Sequence, residues 1–388
     1  MDQNDPKTLM LSHKEILRQE FYSEFTKVEK SLKIASNIVM HLKDASTEAI
    51  NLQFFLRAVE YFRTSPDHKH IIDSKTSFHV KMLIDVAEIN SFELATRYLR
   101  NPSTFMSSWV QEYIFNALQV NINDQGTVLQ NIYYICVRSK FNEMLVATRN
   151  AFTKIEAKYC KVNELWQKIN SHLELTMIAP VMTIPTIGNE QIQVEKVCEE
   201  ISSELNEARY YLTMRSNADL KKDLRREIEK VVEYFEKDLV GCKELCPFCG
   251  GPCDNTAGCT SHLTRCHRPQ GISGQNWHWW NWKRKRGNEL VVDLCTTSVA
   301  DKKQQFKKSD VDNKWHKYHE YRTVYESWMI PPIVDTNTQL YWKWFMAKYN
   351  KEFADFHGCL EAEIPDSWKQ ITWEEAKQDL INLYKPRT

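Results

Sequence analysis

The chain has 388 residues, of which 42% are hydrophobic and 26% are charged. This composition is typical of a folded protein with two or three domains, and it excludes disorder over the whole chain. Lys and Arg together number 51, as do Asp and Glu, so no net charge attracts the chain to nucleic acid or to an anionic membrane. No apolar run reaches the roughly 20 residues that cross a bilayer, and the first residues lack the pattern of a signal peptide. We therefore expect a soluble, intracellular protein.

The composition changes near residue 241. Ten of the 12 Trp lie at or after Trp277, eight of the 10 Gly lie at or after Gly241, and six of the 11 Cys lie between Cys242 and Cys266. The preceding residues are poor in Gly and rich in Leu, Ile, Glu and Lys, which favours helices. The sequence therefore predicts a helical region over 1–176, a loop with long amphipathic helices over 177–240, and a zinc-binding, Trp-rich module over 241–388.

Apolar residues recur at steps of three and four through the first 240 residues, and this spacing places them on one face of a helix. It predicts helices over 17–32, 47–63, 78–99, 104–119, 143–173, 191–214 and 223–240. Turn-forming residues separate them, and Asn101 or Ser103 is expected to cap the helix that follows. We interpret them as core-facing bundle helices, because the sustained heptads of a partner-binding coiled coil do not persist.

The strongest chemical signal is a cluster of potential metal ligands: Cys246, Cys249, Cys253, Cys259, His262, Cys266 and His267. Two Cys separated by two residues can present both sulfurs to one ion, and a second pair follows after a gap of 12 residues. Thiolate and imidazole ligands in this arrangement suit tetrahedral Zn²⁺. Four protein ligands predict a structural site rather than a catalytic one. The favoured set is Cys246, Cys249, His262 and His267, with Cys253 and Cys266 as substitutes.

Two other interpretations of the cysteines are less favoured. The spacing matches that of a DNA-reading zinc finger, but Cys253 and Cys259 occupy the positions where such a finger buries an aromatic residue and a Leu. The cysteines could also be reduced thiols packed in a core, as free Cys often are. So many ligand-type residues on one loop rich in Gly and Pro favour a metal site instead.

The next segment combines Trp with basic residues. Residues 277–282 hold four Trp, and residues 277–322 carry 11 Lys or Arg against six Asp or Glu. Aromatic side chains among basic ones can hold single-stranded nucleic acid, so a nucleic-acid-binding module over 277–322 is the alternative function. We favour an indole core whose edge is covered by Lys and Arg stems. A hairpin between 277–280 and 290–294 is expected, and the basic run at 283–286 also fits a nuclear import signal.

The last part of the chain predicts two helices and no catalytic centre. The helices cover 341–356 and 373–383, the second with Thr372 as its N-cap. The motifs GxxxxGK[ST], GxGxxG, GxSxG and HExxH are absent from the sequence. Nothing in the sequence places Cys295 beside His316 or His319 as a catalytic pair. We therefore predict that the chain is not an enzyme.

Several strings of residues resemble the C-terminal region of the interferon-inducible very large GTPases and of the related up-regulator of cell proliferation. The first two are Cys246-Pro-Phe-Cys-x-x-Pro-Cys253 and His267-Arg-Pro-Gln-Gly271. The others follow in the same order over 293–299, 315–318, 321–325, 330–332, 341–345 and 371–375. The resemblance is dense over about 240–375 and diffuse over about 50–240.

The resemblance carries implications for ligands and nucleotides. The ligand candidates that match the family's pattern are Cys246, Cys249, Cys253, His262 and His267, which favours His267 over Cys266. Family members are dynamin-like GTP-binding proteins of cytosol and nucleus, whose G domain precedes this region. Since this chain lacks the motifs of a G domain, GTP binding is expected only in members that carry one, and no nucleotide site is predicted here.

The combined prediction is a mainly α protein, with helical bundles followed by a small zinc-stabilised, Trp-rich α+β module. Its expected role is that of a non-catalytic interaction or assembly region with structural Zn²⁺ as cofactor. The expected partner is a protein or further copies of the chain, and a GTPase domain on another chain is a candidate; nucleic acid is less favoured. The expected location is the cytoplasm, and also the nucleus.

Overall fold

The computed structural model describes residues 6–122, 126–156, 158–173, 191–275, 288–307, 314–333 and 338–384, with side chains from residue 14 onward. Helices dominate these residues. They are α1 (Pro6–Thr64), α2 (Pro66–Ile72), α3 (Lys75–Ile89), α4 (Phe92–Arg100), α5 (Pro102–Gln119), α6 (Val128–Thr153), α7 (Val162–Leu173), α8 (Val194–Thr213), α9 (Asn217–Asp223), α10 (Arg225–Val240), α11 (Cys295–Ala300), α12 (Leu340–Lys348), α13 (Asn350–His357), α14 (Asp366–Lys369) and α15 (Trp373–Leu383).

Six short strands form three pairs. The strands are β1 (Tyr159–Lys161), β2 (Gln191–Gln193), β3 (His262–Leu263), β4 (Gln305–Lys307), β5 (Trp315–Lys317) and β6 (Trp328–Met329). The pairs β1–β2 and β4–β5 are antiparallel, and β3–β6 is parallel. None of the helices in the described ranges combines the length and the apolar character that a bilayer crossing requires.

The chain divides into two compact units, 1–60 with 116–230 and 61–115 with 231–388. In the first unit, α6 packs against α7 and α8. Its helical core includes Val39 and Leu42 of α1 and Phe141 of α6, all fully buried. Helix α6 begins at a capping box in which Thr127 and Gln130 satisfy each other's backbone N–H groups.

In the second unit, α3 and α4 pack with the C-terminal helices. The Tyr341 hydroxyl donates to the Leu83 carbonyl at 2.9 Å, and the Tyr349 hydroxyl donates to Asn90 Oδ1 at 2.9 Å. The ring of Tyr98 stacks on that of Trp342, and α12 packs against α15. Residues 61–115 thus lie in the same compact unit as the module predicted for 241–388, so the units do not follow the predicted divisions at residues 176 and 240.

The described loops between residues 242 and 333 pack around a small core of thiols and aromatic rings. Phe248 is partly buried and packs against this core, with its ring centroid 4.8 Å from that of Tyr318 and 4.9 Å from that of Phe306. The buried neighbours include Cys249, Cys295 and several further residues of this segment. Helical bundles and a small α+β module are therefore confirmed as the fold class.

Several predicted helices are divided in the structure, for local reasons. The helix expected over 78–99 breaks at Asn90, which adopts a left-handed conformation with φ 56° and ends α3, while the side chain of Ser91 caps α4. The helix expected over 143–173 breaks at β1, and the one expected over 341–356 breaks at Tyr349. Conversely, the two helices expected over 17–32 and 47–63 form part of α1.

The predicted caps are partly confirmed. The side chain of Asn101 accepts the backbone N–H of Thr104 at 3.1 Å, so Asn101 rather than Ser103 caps α5. Thr372 and Glu375 form a complete capping box at the start of α15. Residues 290–294 are not a strand; Leu294 makes only an isolated bridge to Pro269, and the expected partner strand over 277–280 lies outside the described residues.

His79 predicts how the stability of the second unit depends on pH. Burial lowers the pKa of His79 to about 3 from its ordinary 6.5, with Lys75 and Arg268 acting in the same direction. Below pH 6.5, His79 therefore becomes protonated in the unfolded chain but stays neutral in the folded chain. This one group lowers the free energy of unfolding by about 1.4 kcal/mol per pH unit as the solution is acidified.

His79→Gln can keep a hydrogen bond to the Tyr98 hydroxyl, which lies 2.7 Å from His79 Nε2. We expect its stability to fall less steeply between pH 6.5 and about 5, measured by urea unfolding of samples with equal metal content. Parallel slopes for the two proteins would contradict the assignment.

Candidate metal centres

The first pair of cysteines lies on a tight turn over residues 246–251. The backbone N–H of Gly250 donates to the carbonyl of Cys246, and the N–H of Cys246 donates to the carbonyl of Gly251, both at 2.8 Å. Gly250 has φ 65°, a left-handed conformation that a side chain would strain. The turn holds Cys246 and Cys249 in one group of ligands, and both are buried.

Four residues, here named the inner cluster, group around this turn: Cys246, Cys249, His267 and Cys295. Their ligand atoms all lie within 4.8 Å of one another, and all four residues are buried. The sulfurs of Cys246 and Cys295 are 3.9 Å apart. His267 Nδ1 lies 3.5 Å from the sulfur of Cys249 and 3.0 Å from that of Cys295.

The elements that carry the inner cluster are held by buried hydrogen bonds. Cys295 is the first residue of α11. The side chain of Gln270 donates to the hydroxyl of Ser298 in α11 and accepts from that of Tyr318, both at 2.9 Å. The hydroxyl of Ser273 donates to the carbonyl of Cys249 at 2.7 Å. These bonds connect the segment after His267 with α11 and with the cysteine turn.

The inner cluster favours charge separation between a thiolate and an imidazolium. Burial disfavours the charged form of Cys249, but hydrogen bonds from Cys246, Cys295 and His267 outweigh it and bring the pKa of Cys249 well below its ordinary value. Burial also opposes protonation of His267, but hydrogen bonds to Cys246 and Cys249 raise its pKa to about 10. Both pKa directions favour the thiolate of Cys249, and the thiolate is the form of cysteine that binds metals.

A second group of four, here named the outer cluster, contains Cys242, Cys253, Cys259 and His262. Its ligand atoms also lie within 4.8 Å of one another. His262 Nδ1 is 3.4 Å from the sulfur of Cys242 and 3.3 Å from that of Cys259. Cys242 and Cys253 are buried, whereas Cys259 and His262 are half-buried.

Backbone pairing gathers the outer cluster from three separate stretches of chain. The N–H of Cys242 donates to the carbonyl of Asn255 at 3.0 Å, and the N–H of Cys253 donates to that of Glu244 at 2.9 Å. The strand β3, which begins at His262, pairs with β6 and places the imidazole near the ring of Trp328. The cluster is therefore fixed by main-chain contacts on either side.

Both clusters have the dimensions of a tetrahedral metal site. Bonds of about 2.3 Å from zinc to sulfur and about 2.0 Å from zinc to nitrogen place two sulfurs roughly 3.8 Å apart, and a sulfur and a nitrogen roughly 3.5 Å apart. The distance of 3.9 Å between two inner sulfurs and three of the four sulfur–nitrogen distances, 3.3–3.5 Å, agree with these values. The fourth, 3.0 Å from the sulfur of Cys295 to Nδ1 of His267, is shorter. The two clusters could each hold a metal ion.

A buried cation lies beside each cluster. Arg268 follows His267 and is 1% exposed; it donates to the carbonyl of Gly250 and lies over the rings of Tyr98 and Trp342. Lys75 is 7% exposed, and its Nζ donates to the carbonyl of Cys242 at 2.8 Å. In the described ranges neither side chain has a carboxylate within 4 Å. Burial lowers the pKa of Lys75, whereas the outer thiolates act in the opposite direction.

The structure divides the predicted ligand set between the two clusters. It groups Cys246, Cys249 and His267, as predicted, but His262 lies in the outer cluster and Cys295 takes the fourth position. Cys253, predicted as a substitute, belongs to the outer cluster. Cys266 belongs to neither, because its sulfur accepts a hydrogen bond from the indole N–H of Trp342 at 2.9 Å and burial raises its pKa to about 12.

Sequence reasoning missed Cys242 and Cys295 as ligand candidates and ranked Cys259 low. Cys242 stands four residues before the CxxC pair, and Cys295 stands 28 residues after His267. A count of ligand types would have revealed two complete sets of three Cys and one His. Of the other histidines considered, His316 stacks on Phe306 and His319 lies next to Glu320. The Trp-rich segment over 277–282 lies outside the described residues.

The fold and the site define the class of protein: it is mainly helical, and its second unit contains two Cys₃His clusters. The model of the family "Interferon-induced very large GTPase 1, C-terminal domain" matches residues 242–380. Interferon-induced very large GTPase 1 of Mus musculus is 24% identical over 313 residues, and that of Homo sapiens is 25% identical over 319 residues. Each alignment covers 79% of this chain and 12% of the relative. No solved structure matches the chain.

The resemblance predicted from the sequence is confirmed: residues 242–380 match the C-terminal domain of the interferon-induced very large GTPases. The part matched is the C-terminal domain and not the GTPase domain. The chain spans about an eighth of the length of these relatives. Both clusters lie within the matched residues 242–380.

The cluster memberships lead to a prediction that separates Cys295 from Cys266. Cys295→Ser removes an inner ligand and should lower the zinc content of purified protein, measured by mass spectrometry of the metal, together with the melting temperature. Cys266→Ser should keep the zinc content of the wild type, because its sulfur is hydrogen-bonded to Trp342 and belongs to neither cluster. If Cys266→Ser lost zinc and Cys295→Ser retained it, the grouping would be wrong.

Proposed function

We propose that the chain is a non-catalytic interaction and assembly region in which a structural Zn²⁺ is held by the inner cluster. The observation that supports zinc most directly is the position of His267 Nδ1, close to both Cys249 and Cys295. An imidazole nitrogen carries either one lone pair or one hydrogen, so in neither form can it make two full hydrogen bonds to two sulfurs. A metal ion at the centre of the four atoms accounts for their convergence.

Burial favours a structural role over a catalytic one. All four inner residues are buried, and four protein ligands complete a tetrahedral zinc shell, whereas catalytic zinc keeps one position for water or substrate. Zinc with three thiolates and one imidazole has an excess of one negative charge. The guanidinium of Arg268, buried next to His267, offsets that charge, and this explains why a cation without a carboxylate partner is tolerated there.

Removal of the metal tests the structural role. Structural zinc sites contribute an apparent ~10–16 kcal/mol at pH 7, so we expect strong chelation to unfold the second unit. Tryptophan emission reports this event because Trp166 is the one Trp of the first unit. A red-shifted emission on chelation, restored by added Zn²⁺, is the expected result. Unchanged emission and melting temperature in metal-free protein would contradict a structural zinc.

The interaction role is supported by an exposed apolar face on α1. Phe21 and Phe25 are 69% and 57% exposed, and Leu17 is 62% exposed. The same stripe continues at steps of three and four through Val28 and Leu32 to residues that are buried in the first unit, such as Ala35, Val39 and Leu42. The stripe that packs inside the unit thus extends along the helix as an exposed surface, which is typical of a contact site.

We propose that a second copy of this chain binds to that face. The heptads of a long coiled coil do not persist along the chain, but the short apolar stripe of α1 is complementary to itself, so two copies can bury it in a local two-helix contact. The charged residues that flank it include both Glu24 and Lys27, which form an ion pair on one helix. Charges of both signs beside the stripe allow two copies to approach without net repulsion.

Sedimentation velocity over a range of concentrations tests this contact. We expect the wild type to form dimers and Phe21→Glu/Phe25→Glu to remain monomeric, because a charge in the apolar contact is costly to bury. Tyr211→Glu is the matched control, since Tyr211 is an aromatic residue of the same unit that is 74% exposed away from the stripe. A wild type that stays monomeric throughout would overturn self-assembly and leave a different protein as the partner.

We also propose contact with a GTPase domain on another chain. The relatives are named as GTPases, and this chain spans only about an eighth of their length. The described residues contain eleven free cysteines, which is typical of a reducing compartment. Localisation in cytoplasm and nucleus stays a prediction.

A further inference from the structure

In the outer cluster, as in the inner one, a single imidazole nitrogen lies close to two cysteine sulfurs. The sulfurs of Cys242 and Cys259 lie 3.4 and 3.3 Å from the same nitrogen, His262 Nδ1. That nitrogen carries either one lone pair or one hydrogen, so it can make a full hydrogen bond to only one of the two sulfurs. Hydrogen bonding therefore does not account for all the contacts, whereas a metal ion shared by the four converging ligand atoms does.

The charge of Lys75 is a second observation that does not depend on those distances. Its side chain is 7% exposed, and its Nζ donates to the carbonyl of Cys242, a member of the cluster. A buried ammonium is costly unless a negative charge lies near it. Neutral thiols provide none, whereas three thiolates around one Zn²⁺ provide one negative charge in excess.

Asp254 is the alternative counter-charge for Lys75, and its bonds are made elsewhere. One carboxylate oxygen accepts the backbone N–H of Arg265 at 2.7 Å, and the other accepts the hydroxyl of Tyr384 at 3.1 Å. Nε of Arg265 lies 3.7 Å from the same carboxylate. Asp254 is thus already paired with a cation of its own. It also attracts Lys75, as do Cys253, Cys242 and Cys259 of the outer cluster.

The main chain just before Cys242 leaves space for the side chain of Lys75. Gly241, which directly precedes Cys242, has φ 57°. A Cβ at that position would lie 3.0 Å from Cδ of Lys75 and 2.8 Å from the carbonyl of Asn255. Glycine thus allows the backbone of the outer cluster to approach the lysine stem closely.

We propose that Cys242, Cys253, Cys259 and His262 bind a second Zn²⁺, with Lys75 as the positioning residue that neutralises its excess charge. On binding, the three thiols release their protons to solvent, and the ion forms three bonds to sulfur and one to nitrogen. The site is distinct from the inner one and shares none of its residues. Since Cys259 and His262 are half-buried and every inner ligand is buried, the outer site releases its metal first.

The first test uses the wild-type full chain and cobalt(II), whose visible absorption with thiolate ligands reports tetrahedral coordination. Chelated protein is titrated with Co²⁺ under reducing conditions. We expect the absorption to saturate at two equivalents per chain, and a moderate chelator to remove one equivalent before the other. Saturation at one equivalent overturns the proposal.

Variants identify which cluster holds which ion. Cys259→Ala/His262→Ala should retain one zinc per chain, and Cys359→Ala, a half-buried cysteine outside both clusters, should retain two. If the double variant kept the full wild-type content, the outer cluster would be excluded. If zinc is lost from Cys295→Ser alone, the inner site of the proposed function stands while this proposal fails.

Lys75 is tested by Lys75→Met, which keeps the length of the stem and removes the charge. Loss of a partner around the ligands typically weakens a metal site by about 10–100-fold, so competition with a chelator should show such a change for one of the two zinc ions. Lys140→Met is the control, since Lys140 is also buried but pairs with Glu143 in the first unit. Equal zinc affinities in wild type and Lys75→Met would remove Lys75 from the proposal.

Discussion

The second unit depends on one constraint: its loops bury thiols, imidazoles and two cations where a protein of this size usually buries hydrocarbon. Residues 242–275 contain few helical or strand residues, so little of their backbone pairing comes from regular structure. A thiol contributes little as a hydrophobe, and a buried ammonium or guanidinium is unfavourable on its own. The zinc ions that we propose would resolve both conditions, because their binding would deprotonate the thiols and join distant loops. Three thiolates around each ion would leave the negative charge that Lys75 and Arg268 need.

That constraint reaches beyond the loops. Lys75 is the first residue of α3, and Arg268 lies over Tyr98 of α4 and Trp342 of α12. The helical segment over 61–115 is therefore part of the surroundings of the clusters and packs against the C-terminal module. This explains how a segment before residue 116 and one after residue 230 form a single compact unit, although the composition of the sequence changes near residue 241.

Sequence reasoning predicted the class of the fold because helical periodicity is a local property. It also predicted the CxxC turn and the cap at Thr372, which depend on residues close together in the chain. It failed where contacts between distant residues decide. Asn90 ends a helix through a left-handed conformation that the periodic pattern does not show, and Cys295 joins the inner cluster from a helix 28 residues beyond His267.

The division of the ligands shows the same limit. The spacing of Cys246 and Cys249 predicted that they bind one metal ion. Because only one site was assumed, His262, the next imidazole along the chain, was assigned to the same ion. In the structure, pairing of β3 with β6 carries His262 to the other cluster. Cys266 has the spacing of a ligand, yet its sulfur accepts a hydrogen bond from the indole of Trp342. No spacing rule contains that information, because Trp342 lies 76 residues away.

The two clusters alternate along the chain: Cys242 is outer, Cys246 and Cys249 are inner, Cys253, Cys259 and His262 are outer, and His267 and Cys295 are inner. A ribosome releases this chain from its N-terminal end, so the last outer ligand emerges 33 residues before the last inner one. With zinc bound as we propose, the outer four could close before α11 is released, and the loop between them would already hold Cys246 and Cys249. During synthesis, the proposed outer site would then organise the loop that the proposed inner site completes.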